Sequence, residues 1–194
     1  MGLFRGKDGE EWAEKLDKMI AQLRRYGIRD ENILRAMAEV ERHKYMPDDH
    51  CGGDVYGDHP CPIGFGQTIS QPFIVAYMIE KLHLEPGDKV LEIGAGSGYQ
   101  AAVLSRLGVV VYSLEPVKEL AEHAEKALLS DGYDNVTVLN RNGYEGLPEQ
   151  APFDAITVTC APETIPDVLI EQLGENGRMI IPVGRISQRL VLVK

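Results

Sequence analysis

Two short segments of the chain combine residue types that could perform chemistry. Residues 66–72 place two hydroxyl side chains ahead of a proline, and they form a polar element that could face a substrate. Residues 90–100 hold three glycines directly after an apolar run, which is typical of the loop that approaches a nucleotide cofactor. The glycine-rich segment alone would indicate only a cofactor-binding α/β domain. The polar segment limits the type of reaction that the domain could perform.

The glycine-rich loop is predicted to lie between a strand and a helix, and its glycines are Gly94, Gly96 and Gly98. Glycine lets the backbone turn tightly and approach a ligand without a clash at Cβ. Glu115 stands at the end of the next predicted strand, where a carboxylate can accept hydrogen bonds from both ribose hydroxyls. Together these features indicate an adenosine-type ligand.

A nicotinamide dinucleotide is the competing ligand, because residues 96–101 can be aligned with the G-x-G-x-x-A pattern. That alignment moves the first glycine beyond the end of the strand and leaves Glu92, just before the loop, without a role. The alternative for the glycines is a tight strand-to-helix turn that binds no ligand. Independently of this, Glu92 could be a plain solvated carboxylate.

Composition places the chain among soluble globular proteins. It has 194 residues, 44% of them hydrophobic and 26% charged, which predicts one domain with a full core. No apolar run approaches the roughly 20 residues of a membrane helix. Residues 1–10 lack the apolar middle of a secretory signal, so we expect a cytoplasmic protein without a membrane partner. A net charge of -10 argues against nucleic acid as a partner.

The three cysteines, Cys51, Cys61 and Cys160, are odd in number and form no CxxC pair, so we expect reduced thiols rather than a disulfide framework. His50 and His59 lie close to the first two cysteines in the sequence, and the four side chains could in principle bind zinc. Their spacing matches no common zinc finger. We therefore expect that they decorate a glycine-rich loop and that no metal is bound.

Apolar periodicity predicts two amphipathic helices, at residues 10–26 and 30–40, with Gly27 ending the first and Asp30 capping the second. Residues 48–67 are predicted to be a long loop, and a helix resumes near Gln71. Strands and helices then alternate. The predicted strands are 89–93, 109–114, 136–139, 155–159, 178–183 and 189–193, and the predicted helices are 99–107, 117–130 and 165–173.

This alternation predicts an α/β fold with a doubly wound, mostly parallel sheet of the Rossmann-like type. We expect a single domain over residues 1–194. Within it, residues 1–70 supply N-terminal helices and a loop on the substrate side, and residues 71–194 form the cofactor-binding core.

The chain resembles the protein-L-isoaspartate O-methyltransferases nearly from end to end. Besides 66–72 and 90–100, the matching segments are 111–115, 132–136, 146–148, 151–156 and 177–184. The glycine loop is common to many methyltransferases, whereas Thr68-Ile69-Ser70 is much more specific to this family. The resemblance implies S-adenosylmethionine as cofactor and Ser70 as the active-site serine, with Thr68 and Ile69 lining the same substrate pocket. The cofactor residues that it implies are Glu92, Gly94, Ala95, Gly96, Ser97, Gly98, Glu115, Asn142 and Gly143.

The implied reaction is methyl transfer to the free α-carboxylate of an L-isoaspartyl residue in a damaged protein, with D-aspartyl residues as a further candidate. Such a carboxyl has a reference pKa of roughly 3.5 and is already an anion at neutral pH, so no general base is needed. The Ser70 hydroxyl would orient the carboxylate and would not act as a covalent nucleophile. The alternative for Thr68 and Ser70 is capping of the following helix.

The sequence departs from the family pattern in two places. Arg141-Asn142-Gly143 stands where the family has Gly-Asp-Gly, whose aspartate recognises the adenine amino group. Asn142 can still accept a hydrogen bond, while Arg141 either faces solvent or places a charge near the cofactor. The sequence also ends at Lys194, where family members generally continue with a segment that contacts the peptide. An exposed terminal strand would carry unpaired backbone groups and favour association, so we expect a monomer or a weak homodimer.

Two other functions remain open from the sequence. One is a related carboxyl methyltransferase that modifies a normal aspartate in a peptide partner. The other is a cofactor-binding protein without catalysis, although the intact Thr68-Ile69-Ser70 segment argues against it.

Overall fold

The computed structural model describes residues 7–47, Cys51 and residues 54–194, with side chains from residue 11 onward. Helix α1 spans Lys7–Tyr26, and Gly27 ends it with a positive φ of 104°. Helix α2 spans Glu31–Glu39, and the Asp30 side chain accepts hydrogen bonds from two main-chain N–H groups of its first turn. Both helices and the Asp30 cap are therefore confirmed.

A β-hairpin begins inside the segment that was expected to be a loop, residues 48–67, and ends just beyond it. Strand β1, Cys61–Gly64, pairs antiparallel with strand β2, Gln67–Ile69. Phe65 and Gly66 connect the strands with φ values of 53° and 71°, the sign that a two-residue type I′ turn requires. The loop prediction was wrong here because a short strand that contains proline and glycine carries no apolar alternation.

The remaining elements form the α/β core. They are α3 (Pro72–Leu82), β3 (Lys89–Ile93), α4 (Tyr99–Arg106), β4 (Val110–Glu115), α5 (Lys118–Ser130), β5 (Val136–Asn140), β6 (Phe153–Val158), α6 (Asp167–Ile170), β7 (Leu173–Val183) and β8 (Arg189–Val193). The six-stranded sheet has the order β5-β4-β3-β6-β7-β8. All neighbours are parallel except β7 and β8, so the prediction of a doubly wound, mostly parallel sheet is confirmed.

The largest error in the core concerns residues 165–173, which were predicted to be one helix. Helix α6 has only four residues, and strand β7 begins at Leu173. The early part of β7 contains Gly174, Gly177 and a left-handed Asn176 with a φ of 63°, so its sequence resembles a turn rather than a strand.

Apolar side chains pack on both faces of the sheet. One cluster joins α1, α2 and the hairpin to α3, α4 and α5, with Leu23, Met37 and Leu104 fully buried. The other cluster lies on the opposite face and centres on Phe153 and Ile156. No helix in the described part of the chain is long and apolar enough to cross a membrane. That the whole chain is one domain stays a prediction.

The cysteine prediction needs correction. Cys51 and Cys61 form a disulfide, and their Cα atoms lie 5.5 Å apart. That separation lies within the usual range for such a bond. Cys160 is a free thiol. His59 is close to the disulfide, whereas His50 lies outside the described residues.

Candidate active site

A cavity of about 320 Å³ lies at the carboxyl ends of the central parallel strands. Its walls include both Thr68, Ile69 and Ser70 and the glycine loop. The two segments singled out in the sequence therefore meet in one space. The carboxyl end of a parallel sheet is where α/β proteins of this type bind their ligands.

The glycine loop is held against the ends of two strands. Gly94 N–H donates a hydrogen bond to the carbonyl of Leu114 over 2.8 Å. Gly94 has a φ of 95°, and a Cβ at this position would clash with Oγ1 of Thr159. The Thr159 hydroxyl lies 2.8 Å from the Gly94 carbonyl and lines the cavity. Only glycine fits here, so the loop can approach a ligand closely.

Glu115 lines the cavity at the end of β4 and is only 4% exposed. Its Oε2 accepts a hydrogen bond from Gly96 N–H over 2.9 Å, and its Oε1 accepts one from Val117 N–H over 3.0 Å. Each carboxylate oxygen has a further lone pair. The side chain is thus fixed in place and retains the capacity to accept hydrogen bonds from ribose hydroxyls.

Glu92 lies beneath the glycine loop and is fully buried. The Ser113 hydroxyl donates a hydrogen bond to its Oε2, while Oε1 has no partner among the described residues. Burial raises the pKa of Glu92 to about 8, although the hydrogen bond from Ser113 works in the opposite direction. The alternative of a solvated carboxylate is therefore wrong. The residues that line the cavity do not include Glu92, so the glycine loop separates its side chain from the cavity.

Ser70 directly follows the hairpin and precedes α3. Ile69 is buried and Thr68 is exposed, and all three residues of the segment border the cavity. The Ser70 carbonyl accepts a hydrogen bond from Nη2 of Arg42 over 2.8 Å. Sequence reasoning missed Arg42, because it stands in a run of charged residues that looks solvent-exposed although its side chain is fully buried.

The capping alternative for Thr68 and Ser70 is not supported. The N-cap residue of α3 is Gln71, and it makes no side-chain cap hydrogen bond. Asp58 performs this role from the preceding loop, since its Oδ1 accepts a hydrogen bond from Phe73 N–H over 2.8 Å. The hydroxyl of Ser70 therefore borders the cavity without serving as a helix cap.

The segment that departs from the family pattern forms another wall of the cavity. The Asn142 side-chain oxygen accepts a hydrogen bond from Tyr144 N–H over 3.1 Å and so caps a short 3-10 helix. A Cβ at Gly143 would clash with Ile93, so the backbone packs directly onto β3. Arg141 lies outside the cavity, is 39% exposed and pairs with Glu149. Of the two alternatives for Arg141, the structure supports the solvent-facing one.

Comparison with known proteins decides the family. The model of the protein-L-isoaspartate(D-aspartate) O-methyltransferase family matches residues 14–194. The chain belongs to this family. A protein-L-isoaspartate O-methyltransferase from Gloeobacter violaceus is 56% identical over 163 residues, which cover 84% of this chain and 79% of the relative. One from Methanosarcina mazei is 49% identical over 193 residues, which cover 98% of this chain and 79% of that protein.

Solved structures of isoaspartate methyltransferases share the fold. One protein-L-isoaspartate O-methyltransferase superposes with a TM-score of 0.82 at 32% identity, covering 91% of this chain and 59% of that protein. A beta-aspartate methyltransferase from Plasmodium falciparum, solved in complex with S-adenosyl-L-homocysteine, gives a TM-score of 0.77 at 29% identity. That match covers 90% of this chain and 87% of the parasite protein.

Proposed function

We propose that this protein transfers the methyl group of S-adenosylmethionine to the free α-carboxylate of L-isoaspartyl residues in damaged proteins. The observation that carries the proposal is the single cavity bordered by both Ser70 and the glycine loop. A cofactor on the loop and a carboxylate beside Ser70 would share this space. Family membership and relatives that carry the same enzyme name support the same reaction.

The cavity fits an adenosine-type cofactor. Positions 94 and 143 have no room for a side chain, so two stretches of backbone form a close cradle. Glu115 offers acceptors for ribose, and the oxygen of Asn142 offers one for the adenine amino group. When bound, S-adenosylmethionine supplies a methyl group on a positively charged sulfur. The cofactor residues predicted from the sequence remain predictions until binding is measured.

The chain's own contribution to the reaction is positioning. The side chains that line the cavity in the described structure include no histidine, lysine or arginine that could activate Ser70. The Cys160 thiol also borders the cavity, and the described lining contains no cationic side chain that would stabilise its thiolate. An ionised α-carboxylate needs neither a base nor a covalent intermediate. The Ser70 hydroxyl can donate one hydrogen bond to it and hold it in line with the methyl group.

The methyl ester would start repair. Esterification turns the carboxyl into a better leaving group, and the neighbouring backbone nitrogen then closes a succinimide without further help from the enzyme. Hydrolysis of the succinimide returns some normal aspartate. D-Aspartyl residues are proposed as a further substrate class.

The decisive experiment measures transfer of labelled methyl groups to one short peptide in isoaspartyl and aspartyl versions. Label on the isoaspartyl peptide alone supports repair, whereas label on the aspartyl peptide favours a methyltransferase with a different carboxylate target. Binding of S-adenosylmethionine without any turnover would favour a non-catalytic protein.

The Ser70→Ala variant tests the role of the serine. We expect it to fold, to bind S-adenosylmethionine and to lose most methyl transfer. Ser130→Ala, at the exposed end of α5, removes a hydroxyl far from the cavity and is the matched control. Unchanged turnover by Ser70→Ala would contradict the assignment.

Location and assembly are proposed from the sequence. We place the enzyme in the cytoplasm and expect a monomer or a weak homodimer formed through β8, which is an edge strand of the sheet. Light scattering over a range of protein concentrations tests for the homodimer. A monomer mass at every concentration would exclude it.

A further inference from the structure

Three side chains with metal-binding atoms converge on the substrate side of the protein, outside the cavity. Cys51, His59 and Cys61 place one ligand atom each within 4.8 Å of the others. The two cysteines form a disulfide, and Nδ1 of His59 lies 3.7 Å from Sγ of Cys61. Cys61 is fully buried, whereas Cys51 and His59 are partly exposed. The cluster is therefore open to solvent on one side.

The second nitrogen of His59 is held by a carboxylate. Nε2 of His59 lies 3.1 Å from Oδ2 of Asp54. Metal-binding histidines commonly donate their other ring N–H to a carboxylate, which fixes the tautomer and the orientation of the ring. Nδ1, the nitrogen that faces the cysteines, lies 3.3 Å from the carbonyl oxygen of Pro60, so a metal ion bound to Nδ1 would replace that contact.

The backbone between these residues leaves space for that contact. A Cβ at Gly57 would clash with Oδ2 of Asp54 and would lie 2.7 Å from Nε2 of His59. Glycine at this position therefore lets the carboxylate and the imidazole meet across the turn.

We propose that the reduced form of this cluster binds one zinc ion through Cys51, Cys61 and His59, and that formation of the disulfide releases it. Two thiolates and one imidazole are ligands that zinc prefers, and water can occupy the fourth position of a tetrahedral site. Ligand atoms in such a site lie roughly 3.3 to 3.8 Å apart, because the bonds are about 2.0 to 2.3 Å long. Once the disulfide opens, the sulfur atoms must separate by roughly 1.7 Å to reach that spacing.

The redox step balances with a dithiol as reductant. The dithiol transfers two electrons and two protons to the disulfide and is itself oxidised to a disulfide, leaving two cysteine thiols. Zinc then displaces the two thiol protons and binds the thiolates. In the reverse direction a disulfide oxidant removes two electrons from the pair and the ion dissociates. Since thiols are kept reduced in the cytosol, a protein located there would hold the metal-binding form.

The cluster is connected to the active-site segment. The residue that begins β1, Cys61, is paired with Ile69 at the end of β2, next to Ser70. Asp58, which lies between the two cysteines in the sequence, holds the first turn of α3 through Phe73. Zinc and the disulfide are therefore two alternative cross-links for the same loop.

The experiment measures metal content and affinity on the full chain. The protein is reduced with a phosphine, freed of metal, supplied with zinc and passed over a desalting column; a second sample is first oxidised to the disulfide. We expect about one zinc per reduced chain and none per oxidised chain. Cobalt added to the reduced protein should give the near-ultraviolet band of thiolate coordination.

Variants identify the ligands. Cys51→Ser and His59→Ala should bind no zinc when metal and protein are equimolar. Asp54→Asn should lower the affinity for zinc about 10-fold to 100-fold. Cys160→Ser removes a thiol outside the cluster and should keep full zinc binding. Circular dichroism of each variant checks folding. The proposal would be overturned if the reduced wild-type protein bound no zinc. It would also be overturned if the oxidised protein or Cys51→Ser bound as much zinc as the reduced wild type. None of these readouts depends on methyl transfer.

Discussion

The Nη2 atom of Arg42 donates a hydrogen bond to the main-chain carbonyl of Ser70 over 2.8 Å. Its Nε donates a second one to the carbonyl of Val55 over 2.9 Å, and the guanidinium lies over the ring of Tyr99 at 4.9 Å. Tyr99 begins the helix that follows the glycine loop. A single buried side chain thus links the substrate segment, the preceding loop and the cofactor loop, which makes Arg42 a positioning residue.

The substitution Arg42→Lys should slow methyl transfer. A lysine ammonium cannot reproduce the planar fork that reaches two carbonyls and also lies over an aromatic ring. Small displacements of a reacting group cost up to about 100-fold in rate, so we expect kcat to fall about 10-fold to 100-fold. Steady-state kinetics measures it, with Arg25→Lys on the exposed face of α1 as control. Equal kcat values for the two variants would contradict a positioning role.

Helix α3 should depend on Asp58 and not on Thr68. Replacing Asp58 by alanine removes the acceptor for Phe73 N–H, and loss of such a cap costs about 1 kcal/mol in the free energy of unfolding. Asp58→Asn keeps an acceptor and should recover most of that loss. Urea denaturation compares these variants with Thr68→Ala, which we expect to unfold like the wild type. A larger loss in Thr68→Ala than in Asp58→Ala would restore the capping alternative.

The protonation of Glu92 should couple to cofactor binding. Burial raises its pKa from 4.5 to about 8, so the folded protein without cofactor holds a proton that the unfolded chain has released. The free energy of unfolding of the cofactor-free protein should therefore decrease as the pH rises from 4.5 towards 8. A cation bound on the cavity side of the loop, close to the buried Glu92, favours the carboxylate, so affinity for S-adenosylmethionine should increase with pH over the same range, by at most about tenfold per pH unit.

Calorimetry in buffers of different ionisation enthalpy measures this coupling. The wild type should release a proton when it binds S-adenosylmethionine near pH 7. Glu92→Gln should bind the cofactor and release fewer protons, because the side chain at position 92 no longer titrates. The variant retains the shape of the side chain, so its fold should be kept. Identical proton release by the two proteins would show that Glu92 does not titrate with the cofactor.

The substitution Asn142→Asp should strengthen cofactor binding. Aspartate caps a helical turn as well as asparagine does, so the contact with Tyr144 N–H is retained. A charged acceptor contributes about 1 kcal/mol more to a hydrogen bond than a neutral one, so the dissociation constant for S-adenosylmethionine should fall about fivefold. Asn32→Asp, on the exposed surface of α2, changes net charge equally and is the control. Weaker binding by Asn142→Asp would mean that its side chain does not meet the adenine.

The sequence alone identified the sheet and the glycine loop between β3 and α4 because both depend on local patterns. The bounds predicted for β3 and β8 agree with the structure, since a short apolar run between turn residues can be recognised without knowledge of its neighbours. The position of Glu115 at the end of β4 was also predicted correctly from the order of elements. The residues that line the substrate side came from the family resemblance, and the structure places them against the same cavity.

The tertiary structure alone decided which distant residues meet. Arg42 and Ser70 are 28 positions apart, and Asp58 and Phe73 are 15 apart. From the sequence, Thr68 and Ser70 were candidate caps of the next helix and the cysteines were expected to be reduced, whereas the structure caps the helix with Asp58 and joins Cys51 to Cys61. Such contacts depend on how the segment before α3 folds back on the core. That path is set by burial and long-range packing, which leave no periodic signal in the residues involved.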